Sequence, residues 1–190
     1  MVQVKKVEVK QAIENAACRL FMEKGYTNTS VPQIAKAAGV SPANIYVYFR
    51  SKLDILTAIY EGWFDLRLEE LEKSLGRCRS ARQRLYKIFE TMWVDIPTAD
   101  NGFCNNLIQA LSTNPVKEDY QPTLRLSIEH RLERMLAGCL GEFDAERHRM
   151  ITHIVLMAFD GYALNVHLNG GQTATSRDIE LFCEMVLKSV

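Results

Sequence analysis

The segment Ala38–Lys52, AGVSPANIYVYFRSK, concentrates side chains that could bind an anion or an aromatic surface. Two tyrosines and a phenylalanine fall within four residues, and Arg50 and Lys52 follow directly. Phenol hydroxyls and ammonium groups donate hydrogen bonds to anionic oxygens, whereas small apolar groups and aromatic faces make van der Waals contacts. These residue types are therefore suited to binding.

The other titratable residues do not form a catalytic or metal-binding pattern. His148 and His153 are five residues apart, which places them on different sides of a helix, and no nucleophile and base are spaced as a pair. The five cysteines are widely separated and never occur as C-x-x-C, which argues against disulfides or zinc. We expect no enzyme, no metal and no cofactor. Asp160 is either a structural partner of a backbone or arginine group or a polar anchor in a pocket.

Composition indicates an ordinary globular protein. Of the 190 residues, 47% are hydrophobic and 24% are charged, and no apolar run reaches the ~20 residues that span a bilayer. The first ten residues, MVQVKKVEVK, lack the apolar core of a signal peptide. We therefore expect a cytoplasmic protein without a membrane partner.

The charges are distributed unevenly along the chain. Residues 1–55 contain 8 Lys and Arg against 4 Asp and Glu, whereas residues 56–190 contain 15 against 19. A basic N-terminal segment is typical of contact with a polyanion, although the same excess can simply be a solvated face.

Apolar spacing predicts an all-α protein of about nine helices, because no segment shows sustained alternation. Ser-x-Pro and Ser-Pro signatures start two short helices at Val31 and Pro42, and Gly39 ends the first of them. Eight of the predicted helices cover roughly residues 6–24, 31–39, 42–48, 80–95, 102–113, 118–140, 144–169 and 176–190. A long fourth helix opens at Ser51 and runs through Leu68.

The second and third helices, joined by Ala38-Gly39-Val40, have the form of a helix-turn-helix over about residues 30–49. In such a motif the second helix lies in the DNA major groove. This pattern predicts an N-terminal DNA-binding domain at residues 1–52 and a helical domain at residues 53–190. The residues expected to face DNA bases or phosphates are Thr29, Ser30, Ser41, Pro42, Ala43, Asn44, Tyr46, Val47, Tyr48 and Lys52.

At these positions the sequence resembles the tetracycline-repressor (TetR) family of bacterial transcription regulators. The matching residues are Ala17, Phe21, Gly25-Tyr26, Thr29-Ser30-Val31, Ile34-Ala35, Ala38 to Ser41, Ile45-Tyr46, Tyr48-Phe49 and Ser51-Lys52. The resemblance implies phosphate contacts for Tyr48 and Lys52. Val47 and Pro42-Ala43 depart from the residues common in the family, which suggests that apolar contact and DNA shape contribute to specificity.

The resemblance also implies a homodimer whose C-terminal domain binds a small-molecule effector and dimerises through its last two helices. Apolar walls with few polar groups are typical of ligand cavities and equally of helix-bundle cores. The pocket candidates are Phe89, Met92, Trp93, Phe103, Asn106, Gln109, Met157 and Tyr162. The interface candidates, on helices 8 and 9, are Ile151, Ile154, Val155, Ala158, Phe182 and Val186.

The sequence thus favours a homodimeric transcriptional regulator, most simply a repressor, that binds a palindromic double-stranded DNA operator and is released by a small molecule. The alternative is a helical ligand-binding protein without DNA-binding activity. Neither the effector nor the operator can be read from the sequence.

Overall fold

The computed structural model describes residues 2–99, 102–113, 123–140, 145–168 and 171–188, and it is all-α over these ranges. We number the helices α1 to α9. The first four are α1 (Val2–Lys24), α2 (Val31–Ala38), α3 (Pro42–Tyr48) and α4 (Lys52–Leu75). The remaining ones are α5 (Ala81–Glu90, continued by a π-helical turn Thr91–Asp95 and by Ile96–Ala99), α6 (Phe103–Thr113), α7 (Thr123–Leu140), α8 (Ala145–Leu168) and α9 (Ser176–Lys188).

The chain forms two compact units whose boundary differs from the predicted one between residues 52 and 53. The N-terminal unit contains described residues 2–63 together with 102–113, and the C-terminal unit contains 64–99 and the described residues from 123 onward. Helix α4 begins at Lys52 and runs to Leu75 without a break, so no linker separates a module ending at residue 52. Helix α6 belongs to the N-terminal unit because it contacts α1 through side chains described below.

The core of the N-terminal unit comes from the apolar stripes of α1 to α4. Its fully buried members include Ile13, Ala17, Phe21, Ile34, Ile45 and Leu56. Ile45 is the buried anchor of α3, and Phe49, directly after α3, is also buried. With its apolar residues on one side, α3 leaves its other side to solvent.

In the C-terminal unit α5 packs against α7, α8 and α9. Helix α5 continues beyond Asp95, where the sequence predicted a stop at Ile96-Pro97. The π-helical turn Thr91–Asp95 lies directly before Pro97, and its wider spacing accommodates a proline that has no N–H to donate. Two cysteines, Cys139 and Cys183, are buried in this unit, and burial raises the pKa of each thiol to about 11.

Helix α9 begins at Ser176, where the sequence predicted its start, and Thr175 is its N-cap. Thr175 accepts a hydrogen bond from the Asp178 N–H at 3.2 Å on its hydroxyl oxygen. The Asp178 carboxylate in turn accepts from the Thr175 N–H at 2.8 Å. This reciprocal pair is a capping box, which satisfies two N–H groups at the helix start.

Candidate nucleic-acid interface

The turn between α2 and α3 is defined by capping interactions. Ser30 caps α2, with its N–H donating to Gln33 Oε1 at 2.8 Å and its hydroxyl accepting from the Gln33 N–H at 3.4 Å. Gly39 ends α2 in the left-handed conformation, with φ of 70°. Ser41 caps α3 by accepting from the Asn44 N–H at 3.2 Å. These caps define the start and end of α2 and the start of α3 at the predicted residues.

One side of α3 is open to solvent and lacks large core residues. Tyr46 and Val47 are 59% and 69% exposed, and Pro42 and Ala43 at the start of the helix are also exposed. Asn44 and Tyr48 are half-buried at the edges of this surface. We call Pro42, Ala43, Tyr46 and Val47 the outer face of α3. Its small N-terminal residues allow the close approach that base edges require.

Both capping serines are exposed, but their hydroxyl groups already make hydrogen bonds within the protein. Their hydroxyl oxygens accept hydrogen bonds from backbone N–H groups of the helices they cap. A phosphate oxygen can only accept, so a contact requires the hydroxyl proton. The Ser30 hydroxyl donates to Gln33 Oε1 at 3.2 Å, and it would have to leave that acceptor to bind a phosphate. The first role of both serines is to start α2 and α3.

Thr29 is an exception among the predicted DNA-facing residues, because its side chain points into the protein. Thr29 is 1% exposed, and its hydroxyl lies 2.8 Å from the Gly25 carbonyl and 3.2 Å from the Leu20 carbonyl. Its N–H donates to the Tyr26 carbonyl at 3.2 Å. The expectation that the Thr29 side chain faces DNA is therefore wrong, since its donors are used at the end of α1.

Lys52 also lies differently from the phosphate-contacting residue that the resemblance implied. Its ammonium donates to the carbonyls of Tyr26 and Thr29, both at 2.7 Å. The same nitrogen lies 3.9 Å from the centroid of the Tyr26 ring. Burial lowers the pKa of the Lys52 ammonium below its ordinary value. The side chain thus binds the α1–α2 loop, residues 25–30, within the N-terminal unit.

Three of the predicted pocket residues are packed against one another in the core of the C-terminal unit. Phe89, Met92 and Trp93 are at most 3% exposed. The Phe89 and Trp93 rings stack with centroids 5.0 Å apart, and the Trp93 indole N–H donates to the Val155 carbonyl at 3.0 Å. These side chains pack between α5 and α8 as core residues do, and their role in lining a ligand pocket stays a prediction.

Two other pocket candidates lie in the N-terminal unit and contact α1. The buried Asn106 donates from Nδ2 to the Phe21 carbonyl at 3.3 Å. Gln109 Oε1 accepts from the N–H and the hydroxyl of Thr27, at 3.0 and 3.2 Å. Their amides hold α6 on the end of α1, which differs from the predicted pocket role. The side chain of the remaining α6 candidate, Phe103, lies outside the described residues.

The last two pocket candidates have different surroundings. Met157 is 44% exposed on α8, and its place in a ligand pocket stays a prediction. Tyr162 is half-buried, with its ring centroid 5.9 Å from that of Trp93. Burial, together with the nearby negative charge of Asp178, raises the pKa of Tyr162.

The predicted dimer-interface residues fall on two sides of α8 and α9. Ile151, Val155 and Val186 are buried inside the protomer. These three side chains therefore stabilise the core rather than a partner contact. Phe182 packs edge-on against Phe89, with ring centroids 4.9 Å apart, but it is half-buried and its interface role stays a prediction. Ile154 is 47% exposed and Ala158 is half-buried, and both remain available.

Several large apolar side chains are exposed on the same two helices, and the sequence prediction missed most of them as interface candidates. The exposed large apolar side chains there are Met150, Ile154, Met157 and Leu164 on α8, and Leu181 and Met185 on α9. We call these six side chains the α8–α9 apolar face. They account for six of the thirteen exposed large hydrophobic residues in the described chain. Their spacing of 4, 3 and 7 residues along α8 is helical, but the buried Ile151, Val155 and Phe159 of the same helix are spaced by four as well, so spacing alone does not identify the exposed set.

The described residues include no cluster of three His, Cys, Asp or Glu side chains able to hold a metal ion. Asp160 accepts a hydrogen bond from Arg125 Nη1 at 3.1 Å, so of its two predicted roles the structural partner of an arginine is correct. Within the described part of the chain, no helix is long and apolar enough to cross a membrane.

Comparison with known proteins shows which family the helix-turn-helix segment resembles. Residues 13–59 match the bacterial regulatory proteins of the tetR family. The chain is 34% identical over 73 residues to the fatty acid metabolism regulator protein of Bacillus subtilis, covering 38% of each protein. It is 44% identical over 54 residues to the transcriptional regulator AcrR of Shigella flexneri, covering 28% of this chain and 25% of AcrR. These matches span well under half the length of either relative.

A likeness in three dimensions extends over nearly the whole chain. The crystal structure of FadR from Bacillus subtilis in complex with stearoyl-CoA superposes with a TM-score of 0.58 at 22% identity, covering 94% of this chain and 95% of FadR. At this identity the likeness establishes the fold, an N-terminal helix-turn-helix domain followed by a helical C-terminal domain. The sequence match, over residues 13–59, confirms the resemblance inferred from the motif: this segment is similar to the tetR family of bacterial regulatory proteins.

Proposed function

We propose that this protein is a homodimeric transcriptional repressor that binds a palindromic operator and is released by a small molecule. The observation that carries the proposal is the outer face of α3, which is exposed although its residues are apolar or aromatic. An exposed apolar helix surface on a capped helix-turn-helix is suited to contact thymine methyl groups and base edges in a major groove.

A dimer is needed for useful affinity. A single helix-turn-helix reads only a few base pairs, and two half-sites related by two-fold symmetry double the contacts. The α8–α9 apolar face supports this part of the proposal, because large apolar surfaces of soluble proteins usually bind a partner. Two copies of this face in an isologous contact would bring together four helices.

The effector is the second part of the proposal, and the relatives indicate which class to test first. One relative is a regulator of fatty acid metabolism, and one protein of the same fold was crystallised with stearoyl-CoA. We propose a long-chain acyl-CoA as the effector. The apolar C-terminal unit is compatible with an acyl chain, although Phe89 and Trp93 would have to separate if the chain entered between them.

The test is a binding titration with the DNA that flanks the protein's own gene, carried out at several salt concentrations. We expect binding in the nanomolar range that weakens steeply with salt, and at least hundredfold weaker binding to scrambled DNA of equal length. Equal affinity for both DNAs would contradict operator binding and favour the alternative, a helical ligand-binding protein. Stearoyl-CoA should release the operator, whereas free CoA, the matched control, should not; release by neither contradicts the effector class.

A further inference from the structure

We propose that Lys52 is a positioning residue that holds the α1–α2 loop in place for DNA binding, rather than a residue that contacts a DNA phosphate. The inference rests on the proposed DNA binding only for its functional consequence. The contact itself exists within the N-terminal unit and can be tested without DNA.

The geometry around the Lys52 nitrogen leaves little capacity for an external anion. An ammonium group has three N–H donors, and two of them donate to the Tyr26 and Thr29 carbonyls at 2.7 Å. The face of the Tyr26 ring lies on a further side, 3.9 Å from the nitrogen. At most one donor is therefore free in this conformation.

The two carbonyls belong to residues that the fold keeps in place. Tyr26 is 2% exposed, and its ring packs on Phe21 with centroids 5.6 Å apart. Thr29 is buried as well, with its hydroxyl bound at the end of α1. Lys52 therefore binds a part of the loop that is itself anchored to the core of the N-terminal unit.

Because of the position of Lys52 in the chain, this contact affects where α2 and α3 lie. Lys52 is the first residue of α4, and Thr29 directly precedes Ser30, the N-cap of α2. The ammonium thus sets where α2 starts relative to α4. Because α2 is joined to α3 by the tight turn at Gly39, a displaced start of α2 would also displace the outer face of α3.

A move of the ammonium to a phosphate would break both bonds. Hydrogen bonds to a charged group are stronger than neutral ones, and the two carbonyls would lose their charged partner. A phosphate contact would have to offset that loss. We therefore expect the contact to persist when DNA is bound.

Two substitutions separate positioning from phosphate contact. Lys52→Met keeps most of the aliphatic stem and removes the ammonium, whereas Lys52→Arg keeps the charge. A guanidinium binds phosphate well, but it cannot place one compact nitrogen within 2.7 Å of both carbonyls. Arg50→Ala is the matched control, since it removes one positive charge from an exposed side chain two residues away.

The first readout is amide hydrogen exchange of the DNA-free protein. We expect exchange in residues 26–34 to accelerate at least tenfold in both Lys52 variants, with no change in Arg50→Ala or in α7 of the other unit. Unchanged exchange in the Lys52 variants would overturn the proposal. This readout remains decisive if the wild-type protein binds no DNA, a result that would count against the proposed function alone.

The second readout is the salt dependence of operator affinity. Each lost phosphate contact reduces the slope of log K against log salt by about 0.9, or by about 1.8 for a dimer on two half-sites. We expect both Lys52 variants to bind at least tenfold more weakly with an unchanged slope. A slope reduced by that amount in Lys52→Met, together with full affinity in Lys52→Arg, would assign Lys52 to a phosphate and overturn the proposal.

Discussion

Gln109 on α6 accepts two hydrogen bonds from Thr27 in the α1–α2 loop, one from the backbone N–H at 3.0 Å and one from the hydroxyl at 3.2 Å. Since the two residues are 82 positions apart in sequence, the contact joins distant parts of the chain into one unit. The amide also restricts what can stand at Gly25, where an added Cβ would lie 3.0 Å from Gln109 Oε1. Helix α6 and the α1–α2 loop therefore depend on each other.

Gly25→Ala should destabilise the N-terminal unit by about 2–3 kcal/mol. Gly25 has φ of 76°, and a left-handed conformation costs a side-chain-bearing residue about 1–2 kcal/mol. The added Cβ also displaces the Gln109 amide, which weakens its bonds to Thr27 by about 1 kcal/mol. The free energy of unfolding in urea measures the effect.

Two glycines of the same unit are matched controls for this change. Gly39 also has a positive φ, but nothing lies within 4 Å of an added Cβ, so Gly39→Ala should cost only the conformational part, about 1–2 kcal/mol. Gly62 lies inside α4 with open space around it, so Gly62→Ala should stabilise by up to about 1 kcal/mol. If Gly25→Ala and Gly39→Ala lowered the free energy of unfolding equally, the Gln109 contact would contribute nothing to stability.

The ion pair between Arg131 and Glu72 predicts an acid-sensitive contribution to stability. Arg131 donates to Glu72 through Nε at 3.0 Å and Nη2 at 2.9 Å, and these hydrogen bonds lower the pKa of the Glu72 carboxyl below its ordinary 4.5. Because the folded pKa is the lower one, the contribution is complete above pH 4.5 and is lost as pH falls through the folded value. Thermal unfolding of Glu72→Gln should therefore differ from wild type at pH 7, and the difference should shrink below pH 4.5.

Glu69→Gln is the matched control for this titration. Its carboxylate lies 3.6 Å from Lys73 on the surface, with both side chains more than half exposed. Exposed pairs of this kind contribute little to stability. If Glu69→Gln and Glu72→Gln gave the same pH dependence, the two-point contact with Arg131 would not be its cause.

Ile154→Glu should convert the proposed dimer into a monomer. Ile154 lies in the middle of the α8–α9 apolar face, and an isologous contact would bury the new carboxylate twice, without a partner. Leu66→Glu is the control, since Leu66 is 62% exposed on α4 in the same unit. Light scattering after size exclusion should show half the wild-type mass for Ile154→Glu alone. Dissociation by Leu66→Glu instead would place the interface elsewhere.

Val47→Ser should alter which operator sequence is preferred, with little effect on binding to non-specific DNA. Val47 is 69% exposed on the outer face of α3, and replacing its methyl groups by a hydroxyl exchanges an apolar contact for a polar one. Selection from a randomised operator library measures the preference. An identical preference in Val47→Ser and wild type would remove Val47 from the base-reading residues.

The local sequence was sufficient to predict the helix-turn-helix. Helices α2 and α3 begin at Val31 and Pro42, as predicted, because Ser30 and Ser41 cap them through hydrogen bonds that span only three residues. The left-handed conformation of Gly39 is likewise a property of one residue. Such interactions depend on neighbours in sequence, so their pattern identifies them directly.

The direction in which a side chain points could be found only from the tertiary structure. Helix α8 is apolar around most of its circumference, so its periodicity could not decide between the buried Val155 and the exposed Met157. The same limit applies to Phe89 and Trp93, because lining and filling a cavity use the same residue types.

What the sequence by itself determined is the all-α fold and the DNA-binding motif, since both rest on caps, turns and helical periodicity within short segments. The roles of Lys52, Thr29 and Gln109 were decided only by the tertiary structure. Their partners are the carbonyls and N–H groups of the α1–α2 loop and of the end of α1. Every residue offers the same backbone groups, so composition and spacing cannot identify which of them a side chain binds.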